Sequence, residues 1–277
     1  LGTSSYQYLV VPLGAKTIIG KYTGSGSNYD LWVSDGTNAG TVQFSSGVTG
    51  YFSAATDGWY HAVVGSNFYF AGTSAAEGTE LWVTDGTTGG THIVKDIVAG
   101  TGSPAYPSLQ VLIPFGNNVV FTVEDDVWIS DGTTAGTRLL ISGKSMKAYN
   151  LTAAVVNGRL LMALQDSVDN TQNEMWVTDG TTDGTHLLKK FKPSGVADDA
   201  VTLLTVFGSR VYFVANDGVH GTEPWVTDGT TEGTHMAADI YPGTYGSAPS
   251  TFTVANGKLY FLATTPLGGT EVWLVDP

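Results

Sequence analysis

Apolar residues along this chain come in short runs, such as Tyr8–Leu13, Phe68–Ala71, Val119–Val123 and Val201–Phe207, each broken by Gly, Asn, Asp or Ser. Runs of that length, rich in β-branched and aromatic residues and bounded by turn formers, predict strands. No stretch keeps a 3.6-residue apolar period, so no helix is predicted. Tight Gly-containing turns at Asn157-Gly158, Gly208-Ser209 and Asn256-Gly257 split the first two runs of a set into a hairpin. The third run of each set is followed by an almost invariant phrase. It reads LWVSDGTNAGT at Leu31–Thr41, LWVTDGTTGGT at Leu81–Thr91 and VWISDGTTAGT at Val127–Thr137. It returns as MWVTDGTTDGT at Met175–Thr185 and PWVTDGTTEGT at Pro224–Thr234, and a shortened EVWLVDP closes the chain at Glu271–Pro277.

The phrase fixes a repeat. Trp32, Trp82, Trp128, Trp176, Trp225 and Trp273 follow one another at spacings of 46 to 50 residues, the length of a four-stranded propeller blade. A Trp-Val-Thr run with apolar neighbours suits a strand covered on both faces. Asp can bond its own backbone two residues on, and Gly accepts positive φ, so DGTxxG reads as a hairpin tip between a third and a fourth strand. The predicted sets are Tyr8–Leu13, Lys16–Tyr22, the Trp32 strand and Thr41–Ser45; then Tyr60–Val64, Phe68–Ala71, Leu81–Thr84 and His92–Ile97. Leu109–Pro114, Val119–Val123, Val127–Ser130 and Arg138–Ile141 form the third, and Leu151–Val156, Leu160–Leu164, Met175–Thr178 and His186–Phe191 the fourth. Val201–Phe207, Val211–Ala215, Trp225–Thr227 and His235–Ile240 form the fifth; Phe252–Ala255, Leu259–Ala263 and Val272–Val275 form an unfinished sixth. Gly47–Gly58 is the longest connection. The expectation is an all-β, six-bladed β-propeller with blades of about four antiparallel strands, one domain over residues 1–277, its sixth blade incomplete at the chain ends.

Five copies in register resemble the repeat of bacterial ELWxxDGT-repeat proteins, a hyalin-like group, over nearly the whole chain. The resemblance implies a secreted, propeller-like protein and carries over no catalytic residue. The tip is only loosely similar to the Asp-box of sialidase propellers, whose Ser-x-Asp-x-Gly-x-Thr-Trp order is missing, so sialidase chemistry is not inferred.

Composition narrows the function classes. The 277 residues carry 36 Gly, 13 Tyr and 7 Trp, in keeping with a turn-rich β protein. Cysteine is absent, which excludes disulfides, thiolate catalysis and Cys-based zinc sites. The net charge of −13 argues against nucleic acid and anionic membrane as partners, and no apolar run approaches a membrane span. No GxSxG, HExxH, P-loop or dinucleotide fingerprint is present.

In a propeller the repeated tips lie on one rim and the variable loops on the other, where function resides. Asp35, Asp85, Asp131, Asp179 and Asp228 are therefore read as structural. A calcium loop needs several carboxylates, and each tip has one or two. His92, His186 and His235 share one repeat position on different blades, too far apart for a common metal. The acidic groups Glu124-Asp125-Asp126, Asp166/Asp169 and Asp198-Asp199 read as solvated turns, with calcium or paired-carboxylate glycoside chemistry as the alternatives. No cofactor is required.

Trp59 alone among the tryptophans lies outside the repeat position. With Tyr51, Asp57, His61 and Tyr106 it forms the expected ligand-binding region, aromatic faces with a few polar groups suited to a sugar. The expected function is an extracellular or cell-surface protein that binds carbohydrate or another surface component. The alternatives are a structural or adhesive module, self-assembling through blade edges, and a glycan-active hydrolase or lyase.

Overall fold

The computed structural model describes residues 8–24, 28–44, 47–52, 60–100, 109–146, 153–169, 172–191 and 201–276. Among them the protein is all-β, with no helix. It divides into two compact units, Leu1–Leu139 and Leu140–Pro277.

The first unit begins with β1 (Tyr8–Leu13), β2 (Lys16–Tyr22), β3 (Asn28–Ser34), β4 (Val42–Gln43), β5 (Val48–Tyr51), β6 (His61–Val64), β7 (Asn67–Ser74), β8 (Gly78–Thr84) and β9 (His92–Lys95). These join in one nine-stranded sheet, in which β4 pairs with β3 and β6 with β7 beside the path β1-β2-β3-β5-β7-β8-β9. Next come β10 (Leu109–Phe115), β11 (Asn118–Val123), β12 (Asp126–Ser130) and β13 (Arg138–Ser142), a four-stranded sheet in that order. In the second unit β14 (Lys144–Ser145), β15 (Ala153–Val156), β16 (Arg159–Asp166), β17 (Asn173–Thr178) and β18 (His186–Phe191) form a five-stranded sheet. Then β19 (Thr202–Phe207), β20 (Arg210–Asn216), β21 (Thr222–Thr227) and β22 (His235–Met236) form a four-stranded one, and β23 (Ser250–Ala255), β24 (Lys258–Thr265) and β25 (Gly269–Val275) a three-stranded one.

The repeat is visible in the register. Each repeat Trp faces a bulky apolar residue on the second strand of its set: Ile19 with Trp32, Phe70 with Trp82, Phe121 with Trp128, Met162 with Trp176, Phe213 with Trp225 and Phe261 with Trp273. The second and third strands of the middle sets are covered on both faces, as their unbroken apolar sequences require. In the first unit Phe44, Phe52, Phe68 and Phe70 pack in one cluster, and Tyr69, Leu81, Leu112 and Phe121 in another. In the second unit Met175, Leu188, Phe191, Phe213 and Trp225 form the largest cluster. By contrast β25 is mostly exposed, with Val272 at 70%.

The structure differs from the expectation in several segments. The predicted strand His235–Ile240 is a strand only over His235–Met236; Ala237 still donates its amide to the Pro224 carbonyl at 2.8 Å, but beyond it Glu223 takes the Ile240 amide in place of a ladder partner. The predicted connection Gly47–Gly58 contains β5, which pairs antiparallel with β3 through Asn28↔Tyr51 and with β7 through Gly50↔Gly72. Two glycines make room for it. A Cβ on Gly50 would lie 2.4 Å from the Phe52 ring, and one on Gly72 would lie 2.5 Å from the Trp82 indole. Val-Thr-Gly-Tyr alternates buried and half-buried positions, so it behaves as a strand once both neighbours offer their edges. Likewise Lys144–Ser145, between the predicted strands Arg138–Ile141 and Leu151–Val156, pairs with the end of β16.

Candidate functional site

The two ends of each repeat are built differently. At the tip of the second repeat Asp85 Oδ1 accepts the Thr87 amide at 2.9 Å and the Thr87 hydroxyl at 2.7 Å. Thr87 Oγ1 accepts the Gly90 amide at 3.0 Å, and the Thr91 hydroxyl donates to the Thr87 carbonyl at 2.6 Å. That leaves Thr84 as the donor in the 2.7 Å Thr84–Thr91 hydroxyl pair, while Thr84 Oγ1 accepts the Gly86 amide at 2.9 Å. The same bonds recur around Asp35, Asp131, Asp179 and Asp228. Gly86 has φ of +81°, the left-handed region. A Cβ on Gly90 would sit 2.1 Å from Asp85 Oδ1, so only glycine lets the carboxylate turn inward. Hydrogen bonding holds all five carboxyls below the ordinary aspartate value. The Thr hydroxyl contributes most at Asp85, Asp131, Asp179 and Asp228, and the Thr37 amide at Asp35. One oxygen of each Asp is thus committed to its own turn.

The opposite end is organised by an acidic residue two positions before the repeat Trp: Asp30, Glu80, Asp126, Glu174, Glu223 and Glu271. Glu80 is buried on β8 and accepts the Val98 amide, in the segment leaving β9, at 2.8 Å. Glu223 is fully buried on β21. Its two oxygens accept the amides of Ile240, Tyr241 and Ser247 at 3.2, 3.0 and 2.9 Å and the Ser247 hydroxyl at 2.6 Å. Burial pushes both carboxyls up, against these bonds. Glu174 makes ion pairs instead. Lys144 lies 3.0 Å from its Oε2 and also contacts Asp166, Lys190 lies 3.2 Å from Oε1 outside hydrogen-bonding geometry, and Trp176 Nε1 donates at 2.7 Å. Burial lowers the Lys144 pKa, but the bonds to Asp166 and Glu174 outweigh it and raise the net value; the Lys144 bond holds Asp166 far below the usual carboxylate range.

Sequence reasoning missed this acidic position. Its signal was a carboxylate at one fixed place in a strand apolar on both faces. Asp166, read as a solvated turn, is also an ion-pair member and accepts the Val168 and Asp169 amides. In the β20–β21 loop Asp217 Oδ2 lies 2.8 Å from His220 Nδ1 and Oδ1 accepts the Val219 and His220 amides. Among the described residues no three His, Asp or Glu side chains are placed to share a metal.

Of the expected binding residues, Asp57, Trp59 and Tyr106 lie outside the described residues. Tyr51 and His61 are half-buried. The Tyr51 ring meets Tyr60 edge-on at 5.4 Å. The His61 ring stacks on Phe68 at 5.5 Å and meets buried Phe52 at 5.9 Å. Both pack against aromatic neighbours of the first unit.

A cleft of about 380 Å³ opens beside the last two sheets, lined by Tyr212, Pro224 and Val226 on one wall and Phe252, Phe261 and Trp273 on the other, with Arg210, His235 and Asp276 at its polar margin. Apolar walls with a few polar groups, at this volume, make a ligand-sized site. Lys258 Nζ lies 2.8 Å from Asp276 Oδ1.

No family model matches the chain, and no curated protein matches it. Among solved structures it is similar to a computationally designed protein, Ika8, at 16% identity over 99% of this chain and 85% of that one, with a TM-score of 0.40. Prolyl oligopeptidase B from Galerina marginata aligns at 13% identity and TM-score 0.49 over 98% of this chain but only 42% of the peptidase. An oligogalacturonate lyase in complex with manganese aligns at 13% identity and TM-score 0.44, over 96% and 75% of the two chains.

Proposed function

We propose that the six repeats close into a six-bladed β-propeller of the ELWxxDGT-repeat kind, and that the protein is a secreted or surface-held module that binds carbohydrate or another extracellular surface component. The observation carrying this reading is the use of buried carboxylates at the end opposite the tips. Glu80 and Glu223 hold the backbone of the segments leaving their sheets. Burying a carboxylate is costly unless it is well bonded, and here the cost is offset by fixing connecting segments, the usual carriers of binding function. The ligand-binding residues in this reading are Trp59, Asp57 and Tyr106 together with Tyr51 and His61. A glycan array probed with the protein, with calcium and with chelator, tests it. Binding to a defined glycan set, lost in Trp59→Ala with an unchanged melting curve, is the expected result. No glycan bound by folded protein under either condition would favour the structural or adhesive module.

A further inference from the structure

The cleft beside Trp273 has a history written in the other repeats. In two of them the next repeat's Trp is covered by a lysine from the preceding fourth strand. Lys95 Nζ lies 5.7 Å from the centre of the Trp128 ring, and Lys189 Nζ lies 5.0 Å from that of Trp225. These are cation–π distances. Both lysines stand two residues past the one paired with their own repeat Trp, Ile93 with Trp82 and Leu187 with Trp176. Met236 pairs with Trp225, so the corresponding residue is Ala238. The first and third repeats carry Ser45 and Ile141 there.

The neighbouring position is also cut back. Leu188 of the fourth repeat, buried in the same cluster as Trp225, corresponds to Ala237. Phe191 corresponds to Ile240, which still packs on Phe261 and Ala263. The cleft is therefore the volume left by two truncated side chains, an aliphatic one and a lysine, and Ala237 and Ala238 line it. Its marginal charges are offset: Asp276 by Lys258, and Arg210 by Asp228, on which it acts electrostatically. The net charge of −13 biases the surroundings towards cations.

We propose that this cleft binds an alkylammonium group. The charged head stacks on Trp273 in the place Ala238 leaves open, and the aliphatic stem lies along Pro224 and Val226, as lysine stems lie on apolar surface. The ligand is a free alkylamine or a lysine side chain of another polypeptide. Neither this site nor its ligand depends on the glycan reading.

The test uses the whole chain labelled with 5-fluorotryptophan, its Trp273 fluorine resonance assigned by Trp273→Phe. The titrants are n-butylammonium, Nα-acetyl-lysine methylamide and, as a neutral control one methylene longer than the butyl compound, n-pentanol, all at constant ionic strength. The expected result is a saturable shift of the Trp273 line with at least one ammonium compound, bound about tenfold or more tightly than pentanol. Butylammonium alone points to a free amine, and binding of the lysine amide to a polypeptide side chain. Ala238→Lys should move the Trp273 line by itself and abolish the titration. Equal affinity for pentanol, no saturable shift with either ammonium, or undiminished binding by folded Ala238→Lys overturns the proposal. Should that variant fail to fold, the ammonium-to-pentanol ratio in the unaltered protein decides.

Discussion

The tip and the acidic end of the repeat are the two termini of the same strand, yet they follow opposite rules. At the tip every copy makes the same bonds between the same atoms, all within a few residues. At the other end the partners of the acidic position differ in number and kind among the second, fourth, fifth and sixth repeats. Glu80 holds amides of the segment leaving β9, Glu223 does the same after β22 and adds the Ser247 amide and hydroxyl, Glu174 gathers two lysines and an indole, and Glu271 is exposed. A local motif can be copied intact because its partners travel with it. A carboxylate whose partners come from a separate segment takes whatever that segment supplies.

The largest expected effect is at the variable end. Glu223→Ala leaves two buried amides, the part-buried Tyr241 amide and the Ser247 hydroxyl without their acceptor and should cost about 3 kcal/mol or more in urea unfolding. A loss below about 1 kcal/mol would mean that water replaces the carboxylate, and that the loop is not held by it. Next is Gly90→Ala, whose Cβ would displace the Asp85 carboxylate, at about 2 kcal/mol. Gly89→Ala meets nothing within 4 Å and should stay within about 0.5 kcal/mol of the parent.

Asp85→Ala and Asp228→Ala should each cost about 1–2 kcal/mol and leave ligand binding unchanged. The sharper expectation is that the two agree within about 0.5 kcal/mol, and that the double variant is additive. Unequal values would break the claim that tips are interchangeable.

The smallest effect is on pH dependence. The tip aspartates have folded pKa values below the ordinary 3.8, so their contribution is complete above that value and is lost as pH falls through the lower folded one. Glu80 and Glu223 are raised above 4.5, so theirs is complete below 4.5 and lost as pH rises through the folded value. Melting temperature should rise on acidification from neutrality towards about 4.5 and fall below about 3.8. Glu80→Gln should flatten the upper limb and leave the acid fall in place.

The all-β class, the recurring Trp strand and the tips were legible in the sequence, because each depends on residues close in the chain and stated several times. Thr87, Gly90 and Thr91 could be read with Asp85 since they are its immediate neighbours. What depended on distant partners was not legible. β5 is a strand only because β3 and β7 leave edges for it, and nothing in Val-Thr-Gly-Tyr names those edges. The lysine over Trp225 and its absence over Trp273 need the pairing of one repeat and its stacking on the next. Tyr51 and His61 read as an open aromatic surface, but their neighbours are rings whose faces no spacing rule predicts.

β5 has a further consequence for how the molecule comes apart. Repeat arrays are usually nearest-neighbour chains in which each unit can open by itself. Here the backbone of Val48–Tyr51 is hydrogen-bonded into the sheets of the first two repeats at once. Opening either one must tear the strand from the other, so the two form one cooperative foldon, with amides of β3 and β7 exchanging at a common rate. A designer shortening the array could cut between later repeats, but would have to keep or remove these two together.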